Sequence, residues 1–213
     1  MTSREFKERL SRRARRARVP QPEEIEPFET YFRLLARWNL KINLTALPLE
    51  VPTDETFDRL FIEPLVAASL LPNRAATWFD LGSGGGSPAV PLKLVRPSLS
   101  LTLVESKTRK AAFLREVVRV LRLPATTVAN VRLEELTTET GTVEYVTVRA
   151  VKPDPTLVSV ASRLLRIGGE FLVFSNDEPI GHPDFEVDGT APKTSAAPIV
   201  TSYRRVFHVE QKH

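Results

Sequence analysis

Asp80, Gly82, Gly84, Gly86 and Glu105 are the residues of this 213-residue chain whose types and spacing can do chemistry. They lie in Phe79-Asp80-Leu81-Gly82-Ser83-Gly84-Gly85-Gly86-Ser87-Pro88 and in Leu101-Thr102-Leu103-Val104-Glu105, two apolar runs that each end in an acid. Glycine permits positive φ and lets a ligand approach backbone that a Cβ would cover. In a doubly wound α/β sheet, ligands sit beyond the carboxyl ends of the strands, where strand order reverses. A carboxylate at the position of Glu105 can accept hydrogen bonds from both ribose hydroxyls of a nucleoside cofactor. Asp80 can act on a cationic group, directly or through water. A P-loop needs Lys and then Ser or Thr after its last glycine, whereas Ser87-Pro88 follow Gly86, so that cradle is excluded. The dinucleotide pattern G-x-G-x-x-G is met at Gly82 and Gly84 but has Ser87 in its third place. A ligand-free tight turn shares the glycines, and the second acid-ended strand weighs against it.

The elements that must position these residues can be read from periodicity. Ala75 to Leu81 is predicted as a buried strand, Pro88 to Leu94 as the opening of a helix, and Lys107 to Arg122 as a helix capped by Ser106. Thr127–Asn130, Val143–Val148 and Glu170–Ser175 supply three more strands. Pro155 to Leu165 is a helix closed by Gly168-Gly169, and Val200 to Val209 a late antiparallel strand. Strands alternating with helices imply right-handed crossovers and a mostly parallel sheet. Upstream, Phe6, Leu10 and Ala14 mark one helical stripe. Ile25, Phe28, Phe32, Leu35 and Trp38 mark another, with Pro27 in its first turn. Residues 1–72 therefore read as a helical subdomain and 73–213 as the α/β core, divided at Leu71-Pro72-Asn73.

Composition removes several classes of function. With no cysteine, disulfides, thiolate metal sites and cysteine nucleophiles are excluded. His182, His208 and His213 have no metal-ligand spacing and read as bystanders, so no metal is expected. No apolar run approaches the length of a membrane span and no signal-peptide core is visible, so a cytoplasmic protein with no membrane partner is expected. Residues 1–19 hold eight Arg or Lys against Glu5 and Glu8, a net +6, which leaves −2 on the rest of the +4 chain. Such a segment favours phosphate contacts with nucleic acid. A solvated tail and a transit peptide are the other readings, the latter opposed by the two glutamates.

The D-x-G-x-G-x-G run with Glu105 resembles class I S-adenosylmethionine-dependent methyltransferases. Trp38-Asn39 with Asn43-Leu44-Thr45-Ala46-Leu47, then Asp80 to Pro88, Pro91-Leu92, Arg96-Pro97, Thr102 to Ser106, Arg109-Lys110, Phe113-Leu114, Arg132 to Glu135 and Arg149-Ala150, is similar in order and spacing to the RsmG/GidB family. That family methylates a guanine N7 of small-subunit (16S) ribosomal RNA in bacteria. The resemblance implies a Rossmann-like doubly wound α/β sheet with a small helical N-terminal subdomain; a monomer is expected, though the sequence itself does not give the oligomeric state. It implies that Asp80, Gly82, Ser83, Gly84, Gly86, Glu105 and Ser106 hold S-adenosylmethionine, and that Leu133 and Glu134 flank its adenine. It also implies that Arg149 faces the reacting end, with Asn39, Asn43 and Thr45 at the mouth; Arg149 and Asn39 are the catalytic candidates. The partner implied is ribosomal RNA or the small subunit. Arg12, Arg13, Arg15, Arg16 and Arg59, together with Arg149, are the candidates for its phosphates; Tyr31, Trp38 and Phe61 can stack a base, with core packing favoured for Trp38 by its helical spacing.

The chain departs from the family pattern at Ser87-Pro88-Ala89, where G-F-P-G is usual, and at Leu60, Glu63-Pro64, Val148 and Ser175-Asn176. Several of these positions face the substrate in the family. The departures leave open a relative that methylates another RNA or a small molecule, or one that binds without turnover.

Overall fold

The computed structural model describes residues 1–16, 22–149, 154–175, 180–190 and 200–206. The predicted roles of Arg18, Asn176, His208 and His213 fall outside the described residues, as does the side chain of Arg16.

The N-terminal region is held by aromatic packing. Helix α1 (Ser3–Arg13) starts at a capping box: Thr2 Oγ1 accepts the Glu5 N–H at 3.2 Å and Glu5 Oε2 accepts the Thr2 N–H at 2.7 Å. Its stripe of Phe6 and Leu10, continued by Ala14, is fully buried. Helix α2 (Pro22–Asn39) begins earlier than the periodicity suggested, so Pro27 falls inside it and removes the N–H that would bond the Glu23 carbonyl. Helix α3 (Asp54–Phe57), one π-helical turn (Asp58–Ile62) and helix α4 (Glu63–Ala67) follow without a break, and the Glu63 N–H reaches back five residues to the Asp58 carbonyl. Phe61, on the π-turn, meets Phe6 and Phe57 at ring-centroid distances of 5.7 Å, Phe28 at 5.7 Å and Tyr31 at 6.3 Å. One ring thus joins α1, α2 and α3.

The core is a seven-stranded sheet: β1 (Thr77–Leu81), β2 (Ser100–Val104), β3 (Thr126–Ala129), β4 (Val143–Arg149), β5 (Leu165–Phe174), β6 (Phe185–Thr190) and β7 (Val200–Arg205). Its order is β3-β2-β1-β4-β5-β7-β6, parallel from β3 to β5, with β7 antiparallel to β5 and β6 antiparallel to β7. Strand order reverses between β1 and β4, which register Asp80 against Thr147 and Leu81 against Val148. That is where an open α/β sheet takes a ligand. Helices α5 (Ala89–Val95) and α6 (Thr108–Val120) cover one face together with the N-terminal helices, and α7 (Pro155–Leu164) covers the other. The first face and the N-terminal helices share a single apolar cluster running from Phe6 through Phe61 to Trp78, Leu101 and Phe113.

Three local expectations are corrected. Gly168-Gly169 do not close the helix over 155–164; they lie within β5, where a Cβ on Gly169 would fall 2.9 Å from the Arg166 carbonyl and 3.1 Å from that of Glu144. Ser106 does not cap α6: Lys107 does, without a side-chain bond, and its N–H is taken by Glu105 Oε1 at 2.7 Å. Strand β6 went unread, because Phe185-Glu186-Val187-Asp188 alternates over too few residues to separate from a loop. The late strand is antiparallel as expected.

Removing the shared ring tests this account. Phe61→Ala is expected to cost about 3–5 kcal/mol, the usual range for truncating a buried aromatic. Urea unfolding of wild type and variant gives the difference.

Candidate functional site

The site is built on the turn after β1. Gly82, Gly84 and Gly86 have φ of 70°, 48° and 87°, values that glycine adopts without strain. The Ser83 N–H bonds the Val104 carbonyl at 2.9 Å and the Gly84 N–H bonds Glu105 Oε2 at 2.9 Å. A single carboxylate at the end of β2 therefore holds the glycine turn with one oxygen and the start of α6 with the other. Each oxygen keeps a second lone pair. A Cβ on Gly84 would meet nothing nearer than 3.7 Å, so the turn leaves space on that side, whereas a Cβ on Gly85 would fall 3.2 Å from the Leu44 carbonyl oxygen.

Beside this carboxylate lies a cleft of about 390 Å³ lined by Gly82, Val104, Glu105, Ser106, Lys107, Val131, Arg132, Leu133 and Glu134. Among the predicted cofactor residues, Gly82, Glu105, Ser106, Leu133 and Glu134 are thus brought to one concavity. The Asn130 amide braces one wall by donating to the carbonyls of Glu105 and Ser106 at 2.9 and 3.1 Å. A volume of this size, with a carboxylate on one wall and apolar side chains on another, suits a nucleoside.

Asp80 sits behind the turn. It is 2% exposed, and its Oδ1 accepts the Thr147 hydroxyl at 2.5 Å, while Thr147 Oγ1 accepts the Trp78 indole N–H at 3.0 Å. Burial pushes the Asp80 carboxyl up to about 6, with the Thr147 hydrogen bond opposing. Arg149, one residue past the pairing of β4 with β1, is largely covered, its side chain 10% exposed. Its Nη1 donates to the Arg59 carbonyl, its Nη2 lies 2.8 Å from Glu63 Oε2, and its guanidinium sits 4.8 Å from the centre of the Phe174 ring. Burial lowers the Arg149 pKa and pushes Glu63 up to about 7 despite the two arginines beside it. The Ser87 hydroxyl donates to the Leu60 carbonyl at 3.2 Å, which ties the glycine turn to the π-turn.

Other nominated residues have different neighbours. The Asn39 amide clasps its own loop: its Oδ1 accepts the N–H groups of Leu44 and Thr45 at 2.8 and 3.0 Å, and its Nδ2 donates to the Thr45 carbonyl at 3.1 Å. It reaches the site only through the Leu44 carbonyl against Gly85. Arg149 is not available to RNA phosphates, being enclosed by Glu63, Phe174 and the Arg59 carbonyl. Arg13 is paired bidentately with the buried Asp58, and Arg9 and Arg12 face Asp54, so much of the basic segment is neutralised by α3 and the π-turn. Arg15 is exposed, and Arg59 is partly exposed beside Glu63. Tyr31 and Phe61 are fully buried and cannot stack a base; Tyr31 instead donates to the Gly85 carbonyl at 2.6 Å. Trp38 packs on Phe113 and donates to Glu116 Oε2 at 2.8 Å. Sequence reasoning missed Thr147 and the pairing of Glu63. A lone Glu inside the apolar stretch Leu60 to Ala68 is the signal that could have found the latter.

Among the described residues, no helix is long and apolar enough to cross a membrane, and no group of three acidic or histidine side chains could hold a metal.

Comparison with known proteins bears on this geometry. A family model described as rRNA small subunit methyltransferase G (GidB) matches residues 24–179. The chain is 39% identical over 155 residues to the ribosomal RNA small subunit methyltransferase G of Xanthomonas axonopodis pv. citri, covering 72% of this chain and 69% of that protein. It is 40% identical over 152 residues to that of Roseiflexus castenholzii, covering 70% and 64%. A SAM-dependent methyltransferase from Aquifex aeolicus has the same fold, with a TM-score of 0.55 at 13% identity over 70% of this chain and 92% of that one.

The raised carboxyls make stability fall with pH. Asp80 has an ordinary value of 3.8 and is held near 6 in the fold, so between these values the folded state keeps a proton that the unfolded chain has lost. Its stabilising contribution is complete below the lower value and is lost as pH rises through the upper one. Asp80→Asn should flatten this slope, worth about 3 kcal/mol at about 1.4 kcal/mol for each pH unit between the two values. Urea unfolding of wild type and variant across that range measures it.

Proposed function

We infer, for a chain that belongs to the rRNA small subunit methyltransferase G (GidB) family, that the glycine turn and its cleft hold S-adenosylmethionine and that the reaction is methyl transfer to guanine N7 of 16S ribosomal RNA. The observation that carries this reading is the Glu105 carboxylate. It fixes the Gly84 N–H at the strand-order switch and still faces a cleft of nucleoside size. The residues present fit the cofactor: open space beside Gly84, free lone pairs on Glu105 for ribose hydroxyls, and Leu133 and Glu134 on the wall for an adenine.

When bound, S-adenosylmethionine supplies an electrophilic methyl on a sulfonium. The chain's own residues then have a task of alignment. Guanine N7 carries an in-plane lone pair and no proton, so no general base is required. Holding nucleophile and electrophile in one geometry is the main source of acceleration available. Glu105 fixes the ribose end, and the buried Asp80 and Glu63 supply negative charge beside the reacting end, where Arg149 is held. Asn39 is a positioning residue, acting through the Leu44 carbonyl on Gly85. Exposed basic residues such as Arg12, Arg15 and Arg59 are the proposed phosphate contacts, reduced by the pairing of Arg13.

The test uses purified protein, radiolabelled S-adenosylmethionine and small subunits lacking the family's modification, with nucleosides resolved afterwards. Label in 7-methylguanosine is expected. Label in another nucleoside would retain the methyltransferase and discard guanine N7, and no label despite cofactor binding would discard this substrate. In parallel, Glu105→Ala should weaken cofactor binding by about 1–3 kcal/mol, the range for a lost hydrogen bond to a charged acceptor. Titration calorimetry reads the change, and unaltered binding would refute the site.

A further inference from the structure

The end of β4 contains a buried ion cluster whose polar atoms are poorly matched. Arg149 Nη2 is 2.8 Å from Glu63 Oε2 and Arg59 Nε is 3.6 Å from Glu63 Oε1. Neither contact is aligned as a hydrogen bond: both Glu63 oxygens and the Nε and Nη2 atoms of Arg149 are buried with no hydrogen-bond partner among the described residues. A buried ion pair without good hydrogen bonds adds little stability, so its presence needs another reason.

The charges around it suggest one. Glu63 is faced by Arg149 from β4 and by Arg59 and Asp58 from the π-turn, and Arg149 is faced in addition by Asp80 from β1 and Tyr31 from α2. Asp58 is already neutralised by Arg13. The remaining charges are two guanidiniums, Arg59 and Arg149, against two carboxylates, Glu63 and Asp80. A site that receives a cationic sulfonium, and leaves a cationic purine after transfer, cannot sit beside an uncompensated guanidinium without repulsion. The low local dielectric of a largely buried strand end strengthens that repulsion.

Resting on the methyltransferase reading above, we propose that Glu63 is a positioning residue for methyl transfer. Its carboxylate pins Arg149 over Phe174 and cancels the guanidinium charge at the carboxyl end of the central strands, where a sulfonium is held. The neutral form of Glu63 would still fill the space and still neighbour Arg149, but it would leave the charge standing. Charge and packing are therefore separable by experiment.

The experiment measures equilibrium binding of S-adenosylmethionine and of S-adenosylhomocysteine, its neutral thioether counterpart, to wild type and Glu63→Gln. Near pH 8, the ratio of the two dissociation constants should shift by about tenfold or more against the sulfonium form in Glu63→Gln, tenfold being the scale of one uncancelled charge about 12 Å away at an effective dielectric of about 20. In wild type the ratio should shift the same way on acidification to about pH 6, because burial holds the Glu63 carboxyl at about 7. That shift should be smaller in Glu63→Gln, where only Asp80 still titrates. Equal weakening of both ligands, or no change in either, would overturn the proposal and assign Glu63 a purely structural role. A ratio in wild type that does not move with pH would overturn it as well, and this arm needs no variant to fold. Wild type that binds neither ligand would instead refute the cofactor reading on which the proposal rests.

Discussion

The glycine turn is gripped from two sides, by the end of β2 and by the N-terminal helices, and closes on itself through the Gly86 N–H and the Ser83 carbonyl. The Gly84 N–H goes to Glu105 from β2, the Gly85 carbonyl accepts the Tyr31 hydroxyl from α2, and the Ser83 N–H goes to the Val104 carbonyl. The Leu44 carbonyl lies so close to Gly85 that a Cβ there would crowd it. A turn fixed from both sides cannot relax when one partner moves. The N-terminal helices therefore support the glycine turn as well as cover the sheet: α2 supplies the Tyr31 hydroxyl, and Asn39 at its end folds the loop that brings up Leu44.

The π-turn at Asp58–Ile62 links this turn to the buried charges. A π-helical turn leaves a carbonyl without its usual α-helical partner, and such turns recur at functional sites. Here the Arg59 carbonyl accepts from Arg149, and Ser87 of the glycine turn bonds the neighbouring Leu60 carbonyl. The same turn carries Asp58, which anchors α1 through Arg13, and Phe61, which anchors it through Phe6. Packing and electrostatics thus converge on five residues, and Glu63 follows directly after them.

How much of this could be read in the sequence depended on the range of the interaction. The strand-turn-helix around Asp80, the acid at Glu105 and the parallel core were legible because each is a short pattern: apolar runs of strand length, glycines in fixed order, and strands alternating with helices. Boundaries slipped where one pattern ran into the next, as at Gly168-Gly169, whose glycines look like a helix stop and serve as a close crossing inside a strand. Tyr31, Trp38 and Phe61 offered themselves as base-stacking rings because type alone does not tell a buried aromatic from an exposed one. The basic segment was legible as charge, but not the acids that answer it, since Asp54 and Asp58 are more than forty positions away from Arg9 and Arg13.

The sequence by itself determined the family, the fold class and the glycine turn with its two acids, because these follow from local spacing and residue type. Only the tertiary structure decided which side chains meet: that Glu105 grips the turn it faces, that Asn39 clasps the Leu44-Thr45 loop, that Arg149 is enclosed and that Glu63 is its counter-ion. The physical reason is that hydrogen bonding and charge act through distance in space. The fold brings Glu63 and Arg149, far apart along the chain, to 2.8 Å.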